Sequence, residues 1–247
     1  MRGKVSIVTG ASRGIGRAIA LRLAREGWTI VGAATNAGLL DQMIEDVEAA
    51  GSKASALPVD LRSPEAPADL VDFAVSKYGR IDLIVNCAGA TKRGDFLTLT
   101  DEDWSDGYEL KFFGAMRLTR TAWPQLVEHK GAVVFIAGSG GRTPGAEFSI
   151  GGSVNAAMLS LTKALADLGT EQGVRVNAIN PGPVRTDRFR KRVPDAAAEK
   201  EFLKNEKLAQ IGEPEEVAAL VALLVGPEGR YFQGSLIDLD GGQTKTI

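Results

Sequence analysis

The stretch "VSIVTGASRGIGRAIA", residues 5–20, decides the fold. It starts as an apolar, β-branched run, passes through Gly10, Gly14 and Gly16, and continues with the apolar spacing of a helix. A strand that turns into a helix over small residues gathers bare backbone N–H groups and a helix N-terminus at one point. A pyrophosphate can approach there without meeting side chains.

The same alternation repeats outward from this stretch. Residues 4–9, 29–34, 54–59, 81–86, 132–137, 175–180 and 235–239 read as seven strands, most of them apolar enough to be buried on both faces. Helical periodicity fills 14–27, 39–50, 64–78, 101–128, 152–172 and 214–225. This spacing predicts an α/β fold with right-handed crossovers and a doubly wound, seven-stranded parallel sheet. No repeat or linker divides the chain, so 1–247 reads as a single domain. Residues 186–211 are charged and poorly periodic, and a mobile flap over a site is expected there.

Composition narrows the function. With 44% apolar and 24% charged side chains over 247 residues, the chain can bury one large core. A net charge of −2 argues against a nucleic-acid partner. No apolar run approaches the ~20 residues of a membrane span, and the chain opens on a strand rather than a signal peptide. A soluble, cytoplasmic protein without a membrane partner is expected. One cysteine, Cys87, and one histidine, His129, leave no cluster for a metal. Cys87 reads as a small core residue and His129 as a surface one.

The glycine spacing in "TGASRGIG" resembles that of the short-chain dehydrogenase/reductase family. The resemblance runs through nearly the whole chain: "VDL" with Asp60, "NCAG" with Asn86, Ala88 and Gly89, "NPGPVRT" over 180–186, and "DLDGG" near the end. It implies a three-layer Rossmann fold and a nicotinamide cofactor. By the resemblance Gly10, Ser12, Arg13, Gly14, Ile15, Gly16, Asp60, Leu61, Asn86, Ala88 and Gly89 line the adenosine and pyrophosphate. Pro181, Gly182, Val184 and Thr186 lie near the nicotinamide carboxamide. NAD-preferring dehydrogenases commonly carry an acid after strand two, where this chain has Thr35 and Asn36. Arg13 can pair with a 2′-phosphate, a contact of ~1.5–3 kcal/mol before desolvation. NADP(H) is therefore expected over NAD(H).

The catalytic positions depart from the family. Its members open the sixth helix with a Tyr-x-x-x-Lys pair and add a Ser on strand five and an Asn in the preceding helix. Aligned by "SVNAAMLSLTKALA", this chain has Gly151 at the Tyr position and Asn155 at the Lys position, where the family holds the nicotinamide ribose. Gly138 stands for Ser, with Ser139 one residue later, and Lys111 stands for Asn. Tyr78, Tyr108 and Tyr231 are followed four residues on by Asp82, Phe112 and Ser235, so no Tyr-x-x-x-Lys occurs in any register.

Two readings follow: an oxidoreductase acting on a carbonyl or alcohol through an altered proton donor, or a cofactor-binding protein without hydride transfer. Candidate donors are Lys111, Ser139, Ser149, Ser153 and a water admitted by the two glycines. Lys111 is favoured, because a desolvated ammonium can both polarise a carbonyl and yield a proton. Lys111 is expected to point into the cleft and approach the Asn155 amide, with Gly138 and Gly151 leaving room for substrate or ordered water.

A small-molecule substrate is expected. Arg185, Arg188, Arg190, Lys191 and Arg192 in the flap, with Lys92 and Arg93, motivate an anionic one, although a solvated charged face is the commoner explanation of such runs. The helix from Gly152 carries Val154, Ala157, Met158, Leu161, Ala164, Leu165 and Leu168 on several faces, more than one sheet can cover. With the resemblance, this predicts a homodimer or homotetramer.

Overall fold

The computed structural model of the protein describes residues 3–245. Seven strands form one parallel sheet in the order β3-β2-β1-β4-β5-β6-β7. They are β1 (Val5–Thr9), β2 (Thr29–Ala34), β3 (Ala54–Pro58), β4 (Leu83–Asn86), β5 (Ala132–Ile136), β6 (Arg175–Pro181) and β7 (Leu236–Leu239). Each lies where the apolar runs put it.

Helices cover both faces. On one face α1 (Gly14–Arg25), α2 (Ala37–Ala49) and α9 (Pro214–Val225) bury Ile19, Leu23, Trp28, Met43 and Val221 against the strands. On the other, α3 (Ala66–Tyr78), α5 (Gly114–His129) and α6 (Ser149–Gln172) bury Leu70, Leu118, Leu126, Phe135 and Met158. Each fully buried aliphatic or aromatic side chain of this size contributes ~1.5–3 kcal/mol, so the two cores fix the sheet between its layers. Strand order reverses between β1 and β4, which opens a crevice at their carboxyl ends, the place where such sheets take ligands.

Three expectations are corrected. The predicted helix over 101–128 is continuous but not uniform: α4 (Asp101–Tyr108) runs through a π-helical turn, Glu109–Phe113, into α5. The sixth helix starts at Ser149, three residues before the predicted start, so Gly151 and Gly152 lie inside its first turn. Residues 186–211 are not irregular. They form α7 (Asp187–Arg192) and α8 (Ala196–Glu206) around a small core of Phe189, Val193 and Ile211, packed by Phe202 and Leu203. Thr186 caps α7 by accepting from the Phe189 N–H at 3.3 Å, and Asp195 caps α8 by accepting from the Ala198 N–H at 2.9 Å.

α6 is not enclosed on every side within one chain. Ala156, Ser160, Ala164 and Leu168 form a solvent-facing stripe, while Val154 and Met158 are buried.

Candidate active site

The crevice is built first from backbone. Gly10 and Gly14 hold φ of +67° and +55°, which side chains with a Cβ rarely adopt. A Cβ on Gly16 would overlap the Gly10 carbonyl oxygen, and one on Gly10 would stand 3.2 Å from the Ala88 backbone. The loop after β1 therefore closes directly on the loop after β4. Thr9 pins the two together: its Oγ1 accepts from the Cys87 and Ala88 N–H groups, each at 2.9 Å.

The other residues expected at the cofactor lie around this groove. Ser12 is buried and Ile15 half-buried at the start of α1, while the Arg13 side chain makes no capping bond and no ion pair among the described residues. Thr35 is exposed after β2, and Asn36 caps α2 through the Leu39 N–H at 2.9 Å. The Asp60 carboxylate accepts from the Arg62 backbone at 3.0 Å and from its guanidinium, and Leu61 is buried beside Gly114. Asn86 donates to Thr119 Oγ1 at 2.9 Å and keeps a buried Oδ1 without a partner among the described residues. Pro181 ends β6, the Gly182 N–H donates to the Leu239 carbonyl at 3.1 Å, and Val184 bridges to Gly212. A loop fitted to backbone approach, an orphaned amide oxygen and an unpaired arginine suit a phosphate-bearing dinucleotide.

Across the crevice, the π-helical turn carries Lys111. Its Nζ donates to the Ala137 carbonyl and to Asn155 Oδ1, both at 2.6 Å. The stem passes over Gly89, where an added Cβ would stand 2.8 Å from Lys111 Cδ. Burial, and then the Arg188 charge, push the Lys111 ammonium down to about 8. An ammonium has three donors, and two of them are used. Burial pushes the Cys87 thiol up to about 12, which keeps it protonated and unreactive.

The room expected at the glycines is filled. An added Cβ at Gly151 would overlap the ring of Phe148, which also lies 2.8 Å from the corresponding point at Gly140. At Gly138 the same point lies 2.9 Å from Asn155 Nδ2. A phenyl ring and an amide thus occupy the space instead of water. The Arg93 guanidinium stacks on the free face of that ring, 3.9 Å from its centroid.

The candidate hydroxyls differ in availability. Ser139 Oγ donates to Gln243 Oε1 at 2.9 Å, and Gln243 in turn donates to Glu206 of α8 at 2.7 Å. Ser153 donates back to the Ser149 and Ile150 carbonyls. The Ser149 hydroxyl is buried with no partner among the described residues.

Two members of the expected cationic cluster are consumed locally. Arg185 pairs with Glu199 and Glu213, and Lys92 with Asp103 at 2.8 Å. Arg93, Arg188 and Arg192 form no ion pair among the described residues. Arg188 instead reaches from α7 to the Gly89 carbonyl, 2.6 Å away. Phe148 and Gln243 were invisible as site residues in the sequence, and Arg188 was expected only as one charge of a cluster for an anionic substrate. An aromatic three residues before Gly151 is the one local signal that pointed at Phe148.

Comparison with known proteins gives the same answer as the geometry. A family model described as enoyl-(acyl carrier protein) reductase matches residues 10–244. An oxidoreductase of Mycobacterium tuberculosis is 33% identical over 98% of this chain and 92% of its own. A 3-oxoacyl-(acyl-carrier-protein) reductase of Thermotoga maritima is 30% identical over 98% of both. L-sorbose reductase from Gluconobacter frateurii, solved with NADPH and L-sorbose, superposes with a TM-score of 0.94 at 30% identity, covering 100% of this chain and 98% of that one. A glycine loop closing on the β4 loop at a strand-order reversal, matched over almost the full length by oxidoreductases, identifies the chain as a member of the short-chain dehydrogenase/reductase family.

Proposed function

We propose that the protein is an NADP(H)-dependent oxidoreductase that interconverts a carbonyl and an alcohol, with Lys111 in place of the family's tyrosine as proton donor. The observation that carries this is the Lys111 ammonium held 2.6 Å from both Ala137 O and Asn155 Oδ1, with one donor left over. The cofactor, when bound, supplies the hydride from its nicotinamide ring. Gly10, Gly14, Gly16, Arg13 and Asn86 would hold its phosphates and adenosine end, and Thr186, Gly182 and Asn155 its nicotinamide end.

In the reductive direction the free N–H of Lys111 donates to the substrate carbonyl oxygen, polarises it, and yields the proton as alkoxide character develops. A nearly neutral-range ammonium suits this role, since proton transfer is most efficient when donor pKa and working pH are close. Asn155 and the Ala137 carbonyl orient the ammonium. Ser139 is a secondary polar contact, and its bond to Gln243 ties it to α8. In oxidation the neutral amine accepts the proton instead.

NADP(H) is favoured over NAD(H) because no carboxylate follows β2 and Arg13 is uncompensated. An anionic substrate fits Arg93 and Arg192, two unpaired guanidiniums close enough that Arg192, after burial, helps hold Arg93 below its usual range. The stripe on α6 suits a second copy of the chain, giving a homodimer or homotetramer. Binding without turnover is the weaker reading, because the relatives spanning the chain are oxidoreductases.

A screen of NADPH oxidation over ketones, ketoacids and quinones tests the proposal. Consumption of NADPH with a stoichiometric alcohol product is expected for at least one carboxylated ketone. Tight NADPH binding with no turnover across the panel would favour the binding-protein reading.

A further inference from the structure

Three cations from three separate elements converge on the crevice: Arg13 from the glycine loop, Lys111 from the π-helical turn and Arg188 from α7. None forms an ion pair among the described residues. Arg188 is coupled by charge to both of the others. Its own charge is disfavoured by desolvation and then by Arg13, and it is the charge that most disfavours the Lys111 ammonium.

The segment carrying Arg188 crosses the groove. At one side Thr186 lies against the glycine loop, its Cγ2 3.2 Å from where a Cβ on Gly14 would be. At the other, Arg188 Nη2 donates to the Gly89 carbonyl after β4 at 2.6 Å. The contrast with Arg185, three residues earlier, is informative. Arg185 takes two carboxylates, Glu199 and Glu213, so the region does hold acids for a surface arginine. Arg188 is turned away from them towards a neutral acceptor, exposed and without a carboxylate. Its guanidinium is therefore available to an anion lying between the glycine loop and Gly89.

We propose that Arg188 is a ligand of the cofactor's diphosphate, and that its hydrogen bond to the Gly89 carbonyl is the contact it exchanges for phosphate oxygens. The inference rests on the reading that the groove takes a nicotinamide dinucleotide. It adds a residue outside the glycine loop to the binding set and couples the position of α7 to cofactor. A bidentate guanidinium–phosphate contact also spreads the charge that depresses Lys111, so cofactor binding raises the fraction of Lys111 that is protonated near neutral pH.

The test is fluorescence titration of NADPH and NADH, with calorimetric titration of ADP-ribose, into the wild type, Arg188→Met and Arg188→Lys. Arg188→Met is expected to weaken all three ligands by a similar factor of about tenfold or more. Arg188→Lys should recover part of that loss, and the melting temperature without ligand should be unchanged. Weakening of NADPH but not of NADH or ADP-ribose would overturn the proposal by assigning Arg188 to the 2′-phosphate. Unchanged cofactor affinity in Arg188→Met, with wild-type binding intact, would overturn it alone, whether or not a substrate KM moves. Absence of dinucleotide binding in the wild type would overturn the functional reading and the proposal with it.

Discussion

The two walls of the crevice are both rich in glycine, but for different reasons. On the cofactor wall, a Cβ at Gly10 or Gly16 would meet backbone: the Ala88 main chain or the Gly10 carbonyl itself. On the catalytic wall, a Cβ at Gly140 or Gly151 would meet the Phe148 ring, whereas Gly138, with φ of +153°, carries a backbone constraint of its own. Backbone cannot be exchanged by substitution, so the first wall admits little besides glycine. Side chains can be exchanged in pairs, so the second wall can swap its chemistry while keeping its shape. Lys111 and Asn155, in contact at 2.6 Å, are side chains of this exchangeable kind.

The largest effect is expected on the backbone wall. Gly16→Val places branched carbons on the Gly10 carbonyl, and overpacking of this kind costs ~1–3 kcal/mol or more while displacing the loop. The rise in melting temperature on adding NADPH should disappear. A retained ligand-induced shift would show that the loop is not held by backbone contact.

The catalytic wall should behave differently. Gly151→Ala pushes into the Phe148 ring and should lower stability by ~1–3 kcal/mol, measured by urea denaturation. Phe148→Ala in the same chain should recover most of that loss, a coupling a double-mutant cycle reads directly. Additive losses would mean that Phe148 is not what fills the space, and the contrast between the walls would fail.

This difference also explains what the sequence shows and what it hides. Gly10, Gly14 and Gly16 are legible because a backbone constraint leaves one residue type and a fixed spacing. The seven strands are legible because burial on both faces demands uninterrupted apolar runs such as "AVVFI" at β5. Phe148 is not legible, and Arg188 shows only as one charge in a basic run, since the short turn and the six-residue helix that carry them are placed by tertiary packing. α7 and α8 were concealed by their charge, although the Thr186 and Asp195 caps and the Phe189/Phe202 pair carry a weak signal for both.

A smaller effect sharpens the cofactor wall. Arg13→Ala should weaken NADPH by about tenfold, the scale of one charge-assisted contact, and leave NADH nearly unchanged in parallel titrations. Equal losses for both would move Arg13 from the 2′-phosphate to the diphosphate, and equal wild-type affinities would remove the basis for an NADP(H) preference.

The central claim is that Lys111 performs the proton chemistry. Its most direct test is the pH dependence of kcat for NADPH-dependent reduction of an accepted substrate, in the wild type and in Lys111→Met. The ammonium is the acid in this direction, so wild-type kcat should be full below the Lys111 pKa and fall as pH rises through it, at a pH above the ligand-free value of about 8 because bound cofactor offsets the Arg188 charge. Lys111→Met should reduce kcat by about 10²–10⁴-fold and abolish that limb. A Lys111→Met enzyme with unchanged kcat and the same pH profile would contradict the account.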